Sequence, residues 1–353
     1  MSEVMQTDKR RFLRHSLLLT ASSAALLVLT GGARAEDTDH PTVWIELGGA
    51  FDQISRNTVG WVPPNLTDPI TNASPRPFGS TPAIGYDFDA ALTIQPQGSD
   101  WSFAASVRYG RAQHGPIHVH DQTYELGHNF LGKYALTTYA FLNATEKTSS
   151  THAIIDFTAG KDVGLGSFRD GKSTLHFGVR VAQLTEKAEG DMTAFSTQHN
   201  KYAPSGKVVH EADAVMTRSY TGTGPVVSWD GAMPLIGDMG DGLTFDWGVN
   251  AAILFGRQKA QHHLHTKDAR YYVYNAHTTL SETTMAPNRD RTVVVPNLGA
   301  SASFSWRLPH GKVSFGYRAD TFFGAIDGGL ATSQKEMRAF YGPFASVAIG
   351  LGG

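Results

Sequence analysis

The stretch Gly242-Leu-Thr-Phe-Asp-Trp-Gly-Val-Asn-Ala-Ala-Ile-Leu-Phe-Gly-Arg-Gln258 alternates for its whole length. Leu243, Phe245, Trp247, Val249, Ala251, Ile253 and Phe255 fall on one side of an extended chain, and Thr244, Asp246, Gly248, Asn250, Ala252, Leu254 and Gly256 fall on the other. A helix gathers residues three and four apart; this pattern gathers every second one, the period of a strand. The same period recurs at 101–111, where Trp101, Phe103, Ala105, Val107 and Tyr109 oppose Ser102, Ala104, Ser106, Arg108 and Gly110. At 313–325, Val313, Phe315, Tyr317 and Ala319 oppose Ser314, Gly316, Arg318 and Asp320. Further copies at 42–52, 84–95, 152–165, 174–184, 294–308 and 337–351, with a glycine-blurred one at 218–229, bring the expected strands to ten.

The connectors between these strands decide the architecture. Four are short and made of turn residues: 96–100, 166–173, 230–241 and 309–312, with Arg169-Asp170-Gly171-Lys172 and Pro309-His310-Gly311-Lys312 as examples. The others, 53–83, 112–151, 185–217, 259–293 and the shorter 326–336, are polar and longer, and they alternate strictly with the short ones. This rhythm predicts an all-β, antiparallel up-and-down transmembrane β-barrel of about ten strands, with short periplasmic turns and long extracellular loops. Eight or twelve strands are the neighbouring solutions, twelve if 124–142 holds a further hairpin. Trp44, Trp101, Tyr109, Trp229, Trp306 and Tyr341 are the expected aromatic girdle. A soluble β-sandwich also alternates, because it buries one face of each sheet. Its connectors lack the long–short rhythm. The second faces here, rich in Gly, Ala, Ser and Thr with scattered Arg and Asp, suit a narrow polar lumen better than a solvated surface.

Composition fits this reading. The 353 residues include 37 Gly and no Cys, which excludes disulfides, thiolate metal sites and cysteine nucleophiles. A net charge of −2 argues against a nucleic-acid partner. Residues 1–35 read as a cleaved export signal: Lys9, Arg10, Arg11 and Arg14 precede the apolar run 17–29, and Ala33-Arg34-Ala35 fits a cleavage site. Its removal takes away five basic residues (Lys9, Arg10, Arg11, Arg14, Arg34) and two acidic ones (Glu3, Asp8), turning −2 into −5. Residues 36–353 are then the barrel, expected in the outer membrane of a Gram-negative cell envelope. Its expected partners are outer-membrane lipid, lipopolysaccharide and the outer-membrane assembly machinery.

Several of these strands resemble the Legionella-type pore-forming outer membrane protein family. The segments are Gly98-Ser-Asp-Trp-Ser-Phe-Ala-Ala-Ser-Val-Arg-Tyr-Gly-Arg111, Ile155-Asp-Phe-Thr-Ala-Gly-Lys-Asp-Val-Gly-Leu-Gly166, Phe177-Gly-Val-Arg-Val-Ala-Gln183, Phe315-Gly-Tyr-Arg-Ala-Asp320 and 340–353. The resemblance implies an outer-membrane barrel that forms a pore, and assigns no individual functional residue.

If the apolar faces meet lipid, the charges opposite them line the lumen. Glu46, Asp52, Asp87, Asp89, Asp156, Asp162, Asp246 and Asp320 then face inward, against Arg108, Arg180 and Arg318, with Asn250 among them. Two outcomes follow. An excess of carboxylates favours a porin-like passive channel for small solutes or ions, with a preference for cations. Alternatively the charges pair across a narrow bore and plug it, leaving a structural or surface-interaction barrel, since about eight strands hold only packed side chains. An outer-membrane hydrolase is the third class. Asp121 with His120 and Asp268 with His265 are its candidate acid–base pairs, but neither a G-x-S-x-G elbow nor an H-E-x-x-H motif occurs, so no enzyme is expected. No cofactor is expected. His118 with His120, and His262, His263 and His265, are candidate metal ligands in the expected loops. A site needs three or four ligands held in geometry, so solvated histidines are the simpler reading.

Overall fold

The computed structural model describes residues 43–56, 83–97, 99, 101–128, 135–163, 171–200, 203–272, 277–328 and 334–351. The expected signal at 1–35 lies outside them. The described chain is all strand: β1 (Val43–Arg56), β2 (Ala83–Ile94), β3 (Trp101–His128), β4 (Ala135–Asp162), β5 (Lys172–Asn200), β6 (Ala203–Gly237), β7 (Gly242–Tyr272), β8 (His277–Met285), β9 (Asn288–Leu308), β10 (Gly311–Asp327) and β11 (Lys335–Leu351). Each expected strand is present. Neighbours in the chain pair antiparallel, and β1 pairs with both β2 and β11, so ten strands form a closed ring.

The eleventh strand, β8, adds no position to the ring. It runs along the far part of β7 in the register that β9 holds lower down, Gln261 facing Asn288 and Leu264 facing Met285. Between them Pro287 has no N–H to give, though its carbonyl accepts from the His262 N–H at 3.0 Å. Strands β8 and β9 are therefore one line interrupted at a proline.

The alternation sorts side chains as the sequence predicts. Leu47 is 61%, Phe51 72% and Phe315 64% exposed, and Phe88, Phe103, Phe157, Phe177, Phe255, Phe304, Val313 and Ile349 share their outward side. The opposite faces are buried inside the ring: Thr244, Leu254 and Gln258 on β7, Ser314 and Asp320 on β10. Such a surface is the inverse of a soluble protein's. Exposed apolar area of this extent marks contact with lipid or another apolar phase. Trp101, Tyr109 and Trp306 stand on the outer face as expected of girdle residues. Trp44 does not; it shares the inward side of Glu46, because it is two residues away on the same strand.

The expected loops are the main correction. Most of 112–151, 185–217 and 259–293 is strand: β3 to β7 run for 28, 28, 29, 35 and 31 residues, against 14 for β1 and 12 for β2. The hairpin anticipated in 124–142 exists as the tip of β3 and β4, so the ring stays at ten. These segments look like loops because their alternation is small versus polar. On β5, Ala188 and Met192 are buried while Lys187, Glu189 and Asp191 face out. The result is a barrel with one tall side, a raised sheet from β3 round to β8. Past Ala112 no described residue pairs with the outer side of β3, and the strand is kinked there by a bulge between His114 and Ile117 that contains Pro116. Gly324, at φ 65°, does similar work on β10, sitting in an irregularity between Phe322 and Ile326 and turning its carbonyl to accept from Gln258 Nε2 at 2.6 Å.

A charge placed on the outer belt tests what that belt touches. Leu47→Arg, refolded into bilayers, is expected to lose about 2–4 kcal/mol of folding free energy in a urea titration. A value near zero would mean that this face meets water.

Candidate functional site

The interior is where the chain concentrates its polar chemistry, and its layers can be read along single strands. Strand β5 carries Arg180, then Ala182 and Leu184, then Glu186 on its inward face; β9 carries Asn297, then Val295 and Val293, then Arg291. Charged, apolar and charged layers therefore stack along the bore.

The lower layer contains every expected lumen residue but Asp162. Glu46 accepts from Ser346 Oγ at 2.6 Å and lies 3.6 Å from Lys312 Nζ. Asp246 is met by Arg307 at 3.2 Å and by Ser305 Oγ at 2.8 Å. Arg180 grips Asp156 through two bonds of 2.8 and 2.7 Å, and also donates to Asn250 at 2.8 Å and to Asn297. Arg108 reaches Asp320 at 2.7 Å, from β3 to β10. Arg318 reaches Asp87 at 3.2 Å and Asp89 at 3.1 Å. Asp162 is the exception: it is exposed at the end of β4. The expected lining is thus present, but as guanidinium–carboxylate pairs rather than as an open acidic ring. Buried arginines are held by such bidentate and branching bonds because each unmet N–H would leave a charge uncompensated.

The two layers above were not legible in the sequence. The apolar layer draws Ile54, Ile154, Leu184, Tyr220, Leu254, Val295, Phe322, Ile326 and Phe340 from strands all round the ring. Beyond it, Glu186 on β5 accepts from Arg338 on β11 at 2.5 Å and from Arg218 at 2.7 Å. In the ring of ten, β5 and β11 are five positions apart in either direction, so the Glu186–Arg338 bridge spans the full diameter. Arg218 also reaches Glu336 at 3.0 Å, while Asp327 receives Arg289 and, at 3.2 Å, Arg291. Glu186 fell in a presumed loop. The available signal was the apolar residues on otherwise polar faces: Leu184 four places beyond Arg180, Ile154 two from Asp156, and Leu254 four beyond Asn250.

One glycine organises the lower layer. Asp87, Gly110 and His152 are register partners across β2, β3 and β4. A Cβ on Gly110 would overlap both the Asp87 carboxylate and the His152 ring. Without it the two side chains meet over the backbone, His152 Nε2 lying 3.1 Å from Asp87. The other face of the imidazole packs on Phe340, with ring centroids 4.0 Å apart.

Among the described residues the candidate histidines are not gathered into a group of three ligands. His118 bonds to Thr145 Oγ1 at 3.1 Å and His120 to Asn143 Oδ1 at 2.5 Å, so the pair is spent on its neighbouring strand. His263 is exposed and shares a side of β7 with His265; the half-buried His262 takes the other side. His265 lies 3.0 Å from Glu282 and 3.6 Å from Asp213. The expected acid–base pairs are also rearranged. Asp268 pairs with His210 Nδ1 at 2.5 Å and accepts from Ser281 Oγ at 2.6 Å, not with His265. There the aspartate sits between serine and histidine, whereas an activated serine needs the histidine in the middle. The side chain of Asp121 lies outside the described residues.

No family model matches the chain and no curated protein matches it, so the Legionella-type likeness remains a resemblance of strands. Among solved structures it is similar to the transport unit of the autotransporter AIDA-I from Escherichia coli, at 7% identity and a TM-score of 0.26, over 94% of this chain and 97% of that one. The translocator domain of autotransporter NalP from Neisseria meningitidis is similar at 10% identity and a TM-score of 0.19, over 98% of each. The Ralstonia pickettii toluene transporter TbuX is similar at 10% identity and 0.19, over 87% and 88%. At these TM-scores the likenesses carry no functional argument, and the fold rests on the strand register.

Two outcomes are expected. Gly110→Ala should lower stability by about 1–3 kcal/mol through overpacking, seen as a lower temperature of heat-modified migration. Gly115→Ala, where a Cβ would meet nothing within 4 Å, should be neutral. The hydrogen bond to Glu282, with Asp213 adding, raises the His265 pKa above its ordinary 6.5. Its hold on the β7–β8 hairpin is therefore complete below pH 6.5 and fades as pH rises through the raised value. An NMR titration of His265 should show a midpoint above 6.5 that falls back in Glu282→Gln.

Proposed function

We propose that the chain is an outer-membrane β-barrel whose bore is closed by its own side chains, acting as a structural and surface-interaction barrel without enzymatic activity. The observation that carries this reading is the Glu186–Arg338 bridge across the full diameter, backed by the fully buried Phe322, Leu254 and Tyr220. An ion passing this level would have to part a buried ion pair and enter an apolar layer, and each step costs several kcal/mol. The membrane half of the proposal is supported by ring closure together with the outward apolar belt, since only closed sheets or helices satisfy their backbone in hydrocarbon. Just beyond that belt Arg111 and Arg257 are exposed on the outer face, next to Tyr109 and Phe255, where lipopolysaccharide phosphates would meet them. The raised sheet from β3 to β8 then projects from the cell surface as the interaction face.

A porin-like passive channel for small solutes or ions is the second reading, favoured by the hydroxyls of Ser303, Ser305, Ser314 and Ser346 on the lower wall. Planar-bilayer recording separates the two. Detergent-folded wild-type protein is expected to insert without conductance steps, and reproducible steps would overturn the closed bore and restore the channel.

A further inference from the structure

We propose that Asp52, Asp87 and His152 form a buried site for one divalent transition-metal ion of the zinc or cobalt type. Each residue is 2% exposed, and each can place a ligand atom within 4.8 Å of the others. Ligand atoms around a four-coordinate zinc stand about 3.3 Å apart, so the ion needs only a small inward movement of Asp52 beside the 3.1 Å Asp87–His152 contact.

Two further observations point to a cation. Asp52 Oδ1 is buried without a hydrogen-bond partner, while Asp87 Oδ1 is met by His152 Nε2 at 3.1 Å. Native interiors rarely leave such an atom unmet, and this one lies beside a second buried carboxylate and an imidazole. The charges of the layer also fail to balance. Asp52, Asp87, Asp89 and Asp320 supply four carboxylates, while Arg108 and Arg318 supply two guanidiniums. With neutral imidazole the deficit is two positive charges, the charge of one divalent ion. Both arginines are committed to Asp320, Asp87 and Asp89, which leaves Asp52 with no direct ion pair among these contacts.

The donor set selects the kind of ion. Two carboxylates with one imidazole suit zinc, cobalt or nickel; calcium and magnesium prefer all-oxygen shells with several waters. Gly110 is what makes the site possible, because any side chain there would occupy the space between Asp87 and His152. The site joins β1, β2 and β4 and would brace the side of the barrel where β1 and β2 are the shortest strands of the ring. It holds whether or not the bore conducts.

Cobalt chloride is the probe. The full chain is folded into detergent with and without it, desalted, and its metal content measured beside its visible spectrum. About one cobalt per chain should remain, with the intense bands of four- or five-coordinate ion and X-ray absorption showing mixed nitrogen and oxygen ligation. The variant lacking His118, His120, His263 and His265 should retain it equally. Asp52→Asn, checked for folding by heat-modified migration, should lose at least ten-fold of the retained metal; if it does not fold, the wild-type stoichiometry and ligation decide alone. Retention below about a tenth of an equivalent would mean that protons balance the carboxylates, and would overturn the site. Retention that vanishes with the surface histidines, or all-oxygen ligation, would overturn it as well.

Discussion

A strand in hydrocarbon has no water to satisfy its backbone, so both of its edges must be paired. In the proposed membrane setting the fold would depend on that constraint, and the pairing of β1 with β11 meets it. The twelve β1–β11 partner pairs run from Val43 with Leu351 to Arg56 with Arg338, enough to tie the last strand to the first along most of β1. Once the ring is closed, the alternation of each strand has only two destinations. Apolar side chains go out to the belt, and everything else is forced into a bore about ten strands round.

What fills the bore follows from its width. A ring of this size lets long side chains from opposite walls touch, and arginine is the residue whose length and forked donors exploit this. Arg108, Arg318 and Arg338 each bond a carboxylate across the ring, and Arg180, paired with Asp156 on the neighbouring strand, reaches over to Asn250 and Asn297. Glycines on the facing positions leave the room for these crossings. An apolar layer between two charged ones keeps water from one layer out of reach of the other, which strengthens the pairing within each.

The architecture was largely legible in the sequence, and the reason is physical. The outward side chains of the belt are strongly apolar, so Leu243 to Phe255 and Val313 to Phe315 announce themselves by contrast with their neighbours. The raised sheet has water outside and small residues inside, so Ala188 against Glu189 gives a weak signal and reads as loop. The inward charges at Asp87, Arg108, Arg180 and Arg318 were legible individually. Their pairing was not, because partners such as Arg108 and Asp320 or Glu186 and Arg338 lie far apart in the chain and are brought together only by closure. His152 opens an expected strand without standing out; it becomes interesting only beside Gly110 and Phe340.

The tall side of the barrel has a liability the ring lacks. Above the rim, β3 past Ala112 and the outer side of β8 carry main-chain donors and acceptors that no described strand takes up, an invitation to templated assembly between crowded copies. Each margin is interrupted by an imino acid, Pro116 in its bulge on one and Pro287 at the foot of the other. An imino acid on such a margin withholds a donor that an added strand would need, and so opposes zippering between neighbouring sheets.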